Sequence, residues 1–350
     1  MRFNYLTLYN INNYMEILDC TIRDGGYINN WRFDTQLVKK YIETCLKSNI
    51  ISYIELGFLN KEEKYADKYN GIWRSLTHNI IDSYKSNLKL AVMIDFTSFD
   101  ESKLLPQNET SIDLIRVAFH KKDMHEAIAF CGRLKKLGYS VSANAMATIN
   151  YHEDDLNELI NLSNYHKLDY LYIADSYGNC FPNDISRMIK FMRERTKIKI
   201  GVHLHNNFQN GFANFLESIN CQADIVDSTM YGMGRGVGNL TTESVCCLLN
   251  KKLNYKYNLI DLFYFIDNFI VKNFFGQVGN WGYNLPYLIS GYFDCHPNYI
   301  AKLYTSFNHS TLSIENIYSY CQDIKNNGEN KYFSIDTMNK YTQLNKIFEK

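Results

Sequence analysis

The chain has 350 residues, 46% hydrophobic and 21% charged, which is enough apolar content to bury a large core. Its 37 Lys and Arg balance 37 Asp and Glu, so no overall field draws it to nucleic acid or to an anionic membrane. Nine cysteines without a Cys-x-x-Cys pair exclude a disulfide framework, and the most apolar window, residues 259–271, is cut by Asp261 and Asp267 and cannot span a membrane; with no signal-like leader, a cytoplasmic protein is expected.

Residues 1–14 are polar and aromatic without periodicity and read as an N-terminal extension. Met15, Ile17, Leu18 and Ile22 then make an apolar strand that breaks at Gly25-Gly26, directly after Arg23 and Asp24. Asp34 precedes Leu37, Val38, Tyr41, Ile42, Cys45 and Leu46 at helical spacing, a helix with an Asp cap. Strands follow at 53–58 around Glu55, 88–96 with Asp95 at its end, and 114–119 with Arg116 inside and His120 just beyond. Further strands are read at 141–146 around Asn144, at 170–174 before Asp175, at 199–204 and at 224–228 around Asp227. Helices are expected at 124–137, 154–163, from Pro182 toward Thr196, at 211–219 and at 241–249, with Pro182 suited to a first turn.

This is about eight strand–helix alternations over about 235 residues, the rhythm of a (β/α)8 TIM barrel. Residues 15–252 are therefore assigned to the barrel and 253–350 to a C-terminal helical region. The tail has helices opening near 295–299 and lying near 313–324 and 336–348. Its aromatic density (Phe263, Tyr264, Phe265, Phe269, Phe274, Phe275, Trp281) is expected to cover a barrel mouth or a subunit interface. The charged and polar residues fall at the C-terminal ends of strands, where a barrel gathers its catalytic face.

His203 and His205, in Gly-Val-His-Leu-His-Asn-Asn, point to one face of their strand. Two imidazoles with one carboxylate make a three-ligand divalent-metal site with positions left for substrate. A satisfied core histidine is the bland alternative, but a His-x-His pair followed by Asn-Asn at a strand end favours ligands. The glycine-rich loop from Gly232 to Gly238 lacks Gly-x-Gly-x-x-Gly spacing, which leaves a tight turn or an anion cradle through Gly234 and Gly236. Asp95 and Asp175 are either helix caps or groups that orient the site. Arg116 is expected to pair with a barrel carboxylate or with substrate, and His120, followed by two lysines, is either loop or site.

Asp19-Cys-Thr-Ile-Arg-Asp-Gly-Gly26, His203-Leu-His-Asn206 and Gly234-Arg-Gly-Val-Gly-Asn-Leu-Thr-Thr-Glu243 resemble the three signature blocks of the DRE-TIM metallolyase superfamily. That group includes 4-hydroxy-2-oxovalerate aldolases, hydroxymethylglutaryl-CoA lyases and isopropylmalate synthases, and the resemblance spans about residues 15–250. It implies a divalent metal on Asp24, His203 and His205, with Asn239 ligating or supporting it. It also implies that Arg23 stabilises an enolate oxygen and that Glu55 lies near the metal. Mg or Mn is the first expectation, and the imidazoles also allow Zn, Co or Fe. The sequence departs from the aldolases at Tyr27, where they carry a His base, and from the acyl-CoA lyases by having no Cys in its glycine-rich loop. The tail is shorter than the regulatory domain of the synthases. In the aldolases a C-terminal helical region supplies an active-site Tyr, for which Tyr287 is the candidate here, and docks a dehydrogenase.

The expected activity is therefore a metal-dependent carbon–carbon lyase, an aldolase joining or cleaving a pyruvate-type enolate and an aldehyde, a sugar among the candidates. Glu55, Asn144, Arg116, Gly234 and Gly236 are the substrate-side residues; Arg23, Tyr27, His120 and Tyr287 are the catalytic ones. A phenol is a poor base at neutral pH, so Tyr27 is expected to orient substrate while His120 or a tail residue such as His296 takes the proton. An acyl-CoA lyase or Claisen-type synthase is the alternative, separable by acetyl-CoA-dependent thiol release. A non-catalytic barrel serving as a partner subunit is the third reading. A homo-oligomer is expected, with a partner enzyme docked through the C-terminal region as a further option.

Overall fold

Every residue of β2 (Tyr53–Phe58) and β6 (Tyr170–Asp175) is buried, as parallel strands must be when helices cover one face and other strands the opposite one. The computed structural model describes residues 15–49, 51–59, 71–99, 101–253, 255–306 and 313–344. In it eight parallel strands close into a barrel in chain order. The other six are β1 (Glu16–Asp19), β3 (Lys89–Asp95), β4 (Ile112–Phe119), β5 (Ser140–Ala145), β7 (Lys199–Leu204) and β8 (Ile225–Ser228). Closure is made by β8 against β1, from Glu16↔Ile225 to Asp19↔Ser228. The expected N-terminal extension and the last residues of the helix expected at 336–348 lie outside the described residues.

Outside the strands run α1 (Thr21–Asn29), α2 (Thr35–Ser48), α3 (His78–Asp82), α4 (Met124–Lys136), α5 (Glu153–His166), α6 (Pro182–Arg193), α7 (Gly211–Asn220) and α8 (Thr242–Leu253). Asp34 caps α2 as expected, its carboxylate accepting from the N–H groups of Gln36 and Leu37 at 2.8 and 3.2 Å. Pro182 opens α6. Two expectations fail. Gly25 and Gly26 do not break the chain but sit inside α1, where they serve close packing. A Cβ on Gly26 would come within 2.1 Å of the Trp31 indole, and one on Gly25 within 2.9 Å of Met233. The alternation is also incomplete: the described residues between β3 and β4 form only 3-10 turns, at Phe96–Ser98, Glu101–Lys103 and Gln107–Glu109.

Period-two alternation divides the strands between two cores. Leu18, Tyr53, Ala91, Leu114, Tyr170, Tyr172 and Ile225 pack together with Cys20 inside the barrel. Gly201 lets β7 approach Tyr172, whose ring would meet a Cβ there at 2.5 Å. Above this layer Arg116 lies fully buried, its guanidinium 4.5 Å from the Tyr172 ring centre. Eight cysteines are buried and unpaired, and Cys247 is exposed.

After the barrel, α9 (Leu259–Phe265) runs into a π-helical turn (Ile266–Val271). Leu262, Phe265, Ile266, Ile270, Phe274 and Trp281 join the hydrophobic shell between strands and helices. Phe263 and Tyr264 remain 41% and 63% exposed, so this aromatic run only partly serves as a cover. A second, smaller core is built by α10 (Leu285–Tyr292), α11 (Asn298–Ser306), α12 (Ile314–Asn326) and α13 (Ile335–Leu344). Val237 of the glycine-rich loop belongs to that core, which anchors the helices at the barrel mouth. Among the described residues no helix is long and apolar enough to cross a membrane.

Candidate active site

Six buried side chains form a closed ring at the C-terminal end of the barrel. Arg23 Nε donates to Glu55 Oε2 at 2.7 Å, and Arg23 Nη1 lies 3.1 Å from Asp24 Oδ1. Asp24 Oδ2 stands 3.2 Å from His203 Nε2, and His203 Nδ1 donates to Asp227 Oδ2 at 2.9 Å. Arg116 closes the ring by an ion pair with Asp227 and another, at 3.0 Å, with Glu55 Oε2. Burial opposes charge on Asp24 and Asp227, yet Arg23 and His203 hold Asp24 well below the usual carboxylate range, and Arg116 and His203 lower Asp227 as well.

Two guanidiniums face three carboxylates, so the ring lacks one positive charge. Burial resists charging His203, but the Asp227 carboxylate bonded to its Nδ1 and the Asp24 carboxylate 3.2 Å from its Nε2 outweigh that and raise its pKa. The field that draws a proton there equally suits a divalent cation. Asp24 Oδ2 takes no well-aligned hydrogen bond although it is buried, and neither does Asn239 Oδ1. His205 Nδ1 donates to the Asp175 carbonyl at 2.8 Å, which leaves Nε2 with a free lone pair. Burial and the neighbouring His203 push the His205 pKa down to about 3, so the ring is neutral, as a ligand must be. The two imidazole rings lie 4.8 Å apart, centre to centre. These residues fit a divalent metal. Cys20, Asp24 and His203 also bring donor atoms within 4.8 Å of one another. Burial raises the Cys20 thiol well above its usual pKa, however, and it donates to the Ser228 carbonyl at 3.4 Å inside the barrel. The cavity-facing set Asp24, His203 and His205 is the better one.

The cavity above the ring encloses about 140 Å³, room for a small oxo acid and a short partner. Of the residues expected from sequence, Arg23, Asp24, Tyr27, His120, His203 and His205 all line it, as do Arg116 and Asn144. Asn144 is fixed by Ser142, whose hydroxyl donates to Oδ1 at 2.6 Å. Glu55 is fully buried behind Arg23 and Arg116 and reaches substrate only through them. Gly234 and Gly236 are spacing residues: a Cβ would meet Asn239 Nδ2 at 2.2 Å in the first case and the Tyr287 ring at 2.7 Å in the second. Tyr287 therefore packs on the glycine-rich loop instead of lining the wall; burial raises its pKa to about 12. Asp175 acts through its backbone carbonyl on His205, while its carboxylate accepts the N–H groups of Asn179 and Cys180. Arg235, Lys331 and His296 also line the cavity. Arg235 was in plain view inside the third sequence block; nothing in the sequence singles out Lys331.

A family model described as HMGL-like matches residues 14–267. A 4-hydroxy-2-oxovalerate aldolase of Moorella thermoacetica is 25% identical over 248 residues, 69% of this chain and 72% of its own. An oxaloacetate decarboxylase of Mycobacterium tuberculosis is 23% identical over 249 residues, 67% and 70% of the two chains. Among solved structures, the N-terminal domain of a candidate aldolase from Bacteroides vulgatus is 28% identical, with a TM-score of 0.71 over 85% of this chain and 98% of that one. An HMG-CoA lyase of Bacillus subtilis, at 15% identity and a TM-score of 0.62, shares the fold over 76% of this chain and 95% of its own. With its three sequence blocks brought together at the mouth of a closed barrel, the chain belongs to the HMGL-like family, on the aldolase branch of the DRE-TIM metallolyases, and is a carbon–carbon lyase.

Proposed function

We propose that the chain is a divalent-metal aldolase that joins or cleaves the bond between a pyruvate-type enolate and an aldehyde. The observation that carries this reading is the unsatisfied Asp24 Oδ2 beside His203 and His205, with the Arg23 guanidinium fixed next to it at the cavity wall. A divalent ion on Asp24, His203 and His205, supported by Asn239, would supply Lewis-acid polarisation of a bound 2-oxo acid carbonyl. Mg or Mn suits the carboxylate and substrate oxygens, and Zn, Co or Fe the two imidazoles.

Arg23 places N–H donors where negative charge develops on the enolate oxygen, and Glu55 and Asp24 hold it there without reorganisation. Asp227 and the Asp175 carbonyl orient the two imidazoles. On the aldehyde side a hydroxyl proton must be accepted in cleavage and returned in condensation. His296 is a poor acceptor: its Nδ1 already takes the Asn298 N–H at 3.2 Å, and burial together with Arg235 pushes its pKa down to about 3. Burial lowers the His120 pKa as well, which keeps that ring neutral and able to accept a proton at neutral pH. We assign the base to His120 and a positioning role to Tyr27, whose ring lies 5.0 Å from the Arg235 guanidinium.

A second reading, decarboxylation of a 2-oxo dicarboxylic acid, generates the same enolate and is favoured by the oxaloacetate decarboxylase relative. Metal-dependent exchange of deuterium into the methyl group of pyruvate tests what the two readings share, and carbon dioxide release from oxaloacetate separates them. Self-association, or docking of a partner enzyme through the C-terminal helices, belongs to the same proposal and is measured by light scattering of the pure protein. Loss of exchange in wild-type protein loaded with each candidate metal would remove the aldolase assignment.

A further inference from the structure

Arg235 is supplied by the glycine-rich loop between β8 and α8, and it projects toward the helices that cap the mouth. Its Nη1 donates to the side-chain carbonyl of Asn298, and its guanidinium sits over the Tyr27 ring. Both partners are uncharged. Arg23 and Arg116, in the same cavity, are each paired with two carboxylates. Arg235 is only half buried, and it makes no ion pair with a described carboxylate. Lys331, from the segment between α12 and α13, lines the same wall and likewise has no ion-pair partner among the described residues. The lining carries two carboxylates. Asp24 belongs to the ring below, and Asp95 is occupied by Thr97, accepting its N–H at 3.3 Å and its hydroxyl at 2.9 Å.

The two halves of the cavity thus differ. The barrel side, at Arg23, Asp24, His203 and His205, takes the carbonyl and carboxylate of the oxo acid. The side under the C-terminal helices presents Arg235 and Lys331 beside the neutral His296. A guanidinium held by an amide and an aromatic face keeps its full charge for a ligand, and a fork–fork contact with an oxyanion is its strongest available interaction. A short uncharged aldehyde would leave both cations without use.

We propose that the aldehyde substrate is anionic, its far end carrying a carboxylate or a phosphate that Arg235 and Lys331 hold. This rests on the aldolase reading above. The anion sets which aldehyde is accepted, through KM, while the chemistry stays with the barrel ring.

The test uses the full chain with its divalent metal and measures condensation with pyruvate in two matched pairs: succinic semialdehyde against butanal, and glyceraldehyde 3-phosphate against glyceraldehyde. The anionic member of at least one pair should have a kcat/KM higher by roughly 10–100-fold, as expected for one charge-assisted contact. The pair that shows the preference tells carboxylate from phosphate. Arg235→Gln should bring that ratio close to one, chiefly through KM for the aldehyde, and Arg235→Lys should restore part of it. Lys331→Met, a change at an exposed residue that does not threaten folding, should lower the ratio by a smaller factor. Ratios near one in the wild-type protein for both pairs would overturn the proposal, and so would wild-type ratios retained in both Arg235→Gln and Lys331→Met. Deuterium exchange into pyruvate, run alongside, separates the failures: exchange with no charge preference overturns the anion site alone, whereas absence of exchange overturns the aldolase reading and the anion site together.

Discussion

Two sets of cations share one cavity and are held in opposite ways. Arg23 and Arg116 are locked by Asp24, Glu55 and Asp227 in a buried ring, so their charges are balanced before any ligand arrives. Arg235 and Lys331, on the side of the C-terminal helices, meet an amide, an aromatic ring or solvent instead. Under the proposed function the two sets divide the work: the ring would fix the geometry of the carbon–carbon chemistry, and the cap side would leave charge available to select a substrate.

The sharpest break on the barrel side of the cavity is at the proposed metal ligands. His205→Ala and His203→Ala should each lose the bound divalent ion and all measurable pyruvate exchange, read by metal analysis of the purified variants beside the exchange assay. Unchanged metal content in both would place the site elsewhere. Arg116→Met comes next: it leaves Glu55 to Arg23 and Asp227 to His203 alone, with three buried carboxylates facing one guanidinium, and should cost about 3–5 kcal/mol in denaturant unfolding. Arg235→Met, by contrast, removes no ion pair and should stay within about 1 kcal/mol of wild type. Equal losses at the two positions would erase the distinction between the sets.

Arg23→Lys keeps the charge but not the planar fork, so kcat should fall by roughly 10²–10³ with metal content unchanged. Tyr27→Phe should lose only about 10–100-fold in kcat and keep the basic limb of its pH–rate profile, because the base is assigned to His120. Disappearance of that limb would return the proton transfer to the phenol.

The last expected effect is one of pH. Burial raises the Glu243 pKa from 4.5 to about 7, while its carboxylate accepts the Tyr231 N–H at 3.0 Å. The folded chain therefore binds this proton more tightly than the unfolded one. The stability it adds is present below about pH 4.5 and is lost as the pH rises through about 7. Glu243→Gln should shrink the drop in Tm between about pH 5 and pH 8, and a drop as large as in wild type would show that another group is responsible.

The barrel, its strand positions and the shared face of His203 and His205 could be read from sequence because each leaves a short-range signal. Examples are buried apolar runs such as 170–174, the His-x-His spacing of 203 and 205, and the Asp34 cap. What could not be read was set by contacts distant in sequence. Gly25-Gly26 looks like a break because glycine pairs are common in turns, but here Trp31 and Met233 need the space inside a helix. Glu55 looked like a substrate contact, yet its side chain is enclosed by Arg23 and Arg116, a placement fixed by the pairing of β2 with its neighbours. Lys331 lies more than 300 residues from Arg23, in a loop with no motif, and only the docking of the small helical core brings it to the same cavity.

The most direct test of the account is exchange of deuterium into the pyruvate methyl group, followed with and without divalent metal and in Asp24→Asn. The metal-aldolase reading requires exchange in metal-loaded wild-type protein, none after chelation, recovery on adding metal back, and none in the variant. Exchange that survives both chelation and Asp24→Asn would contradict it.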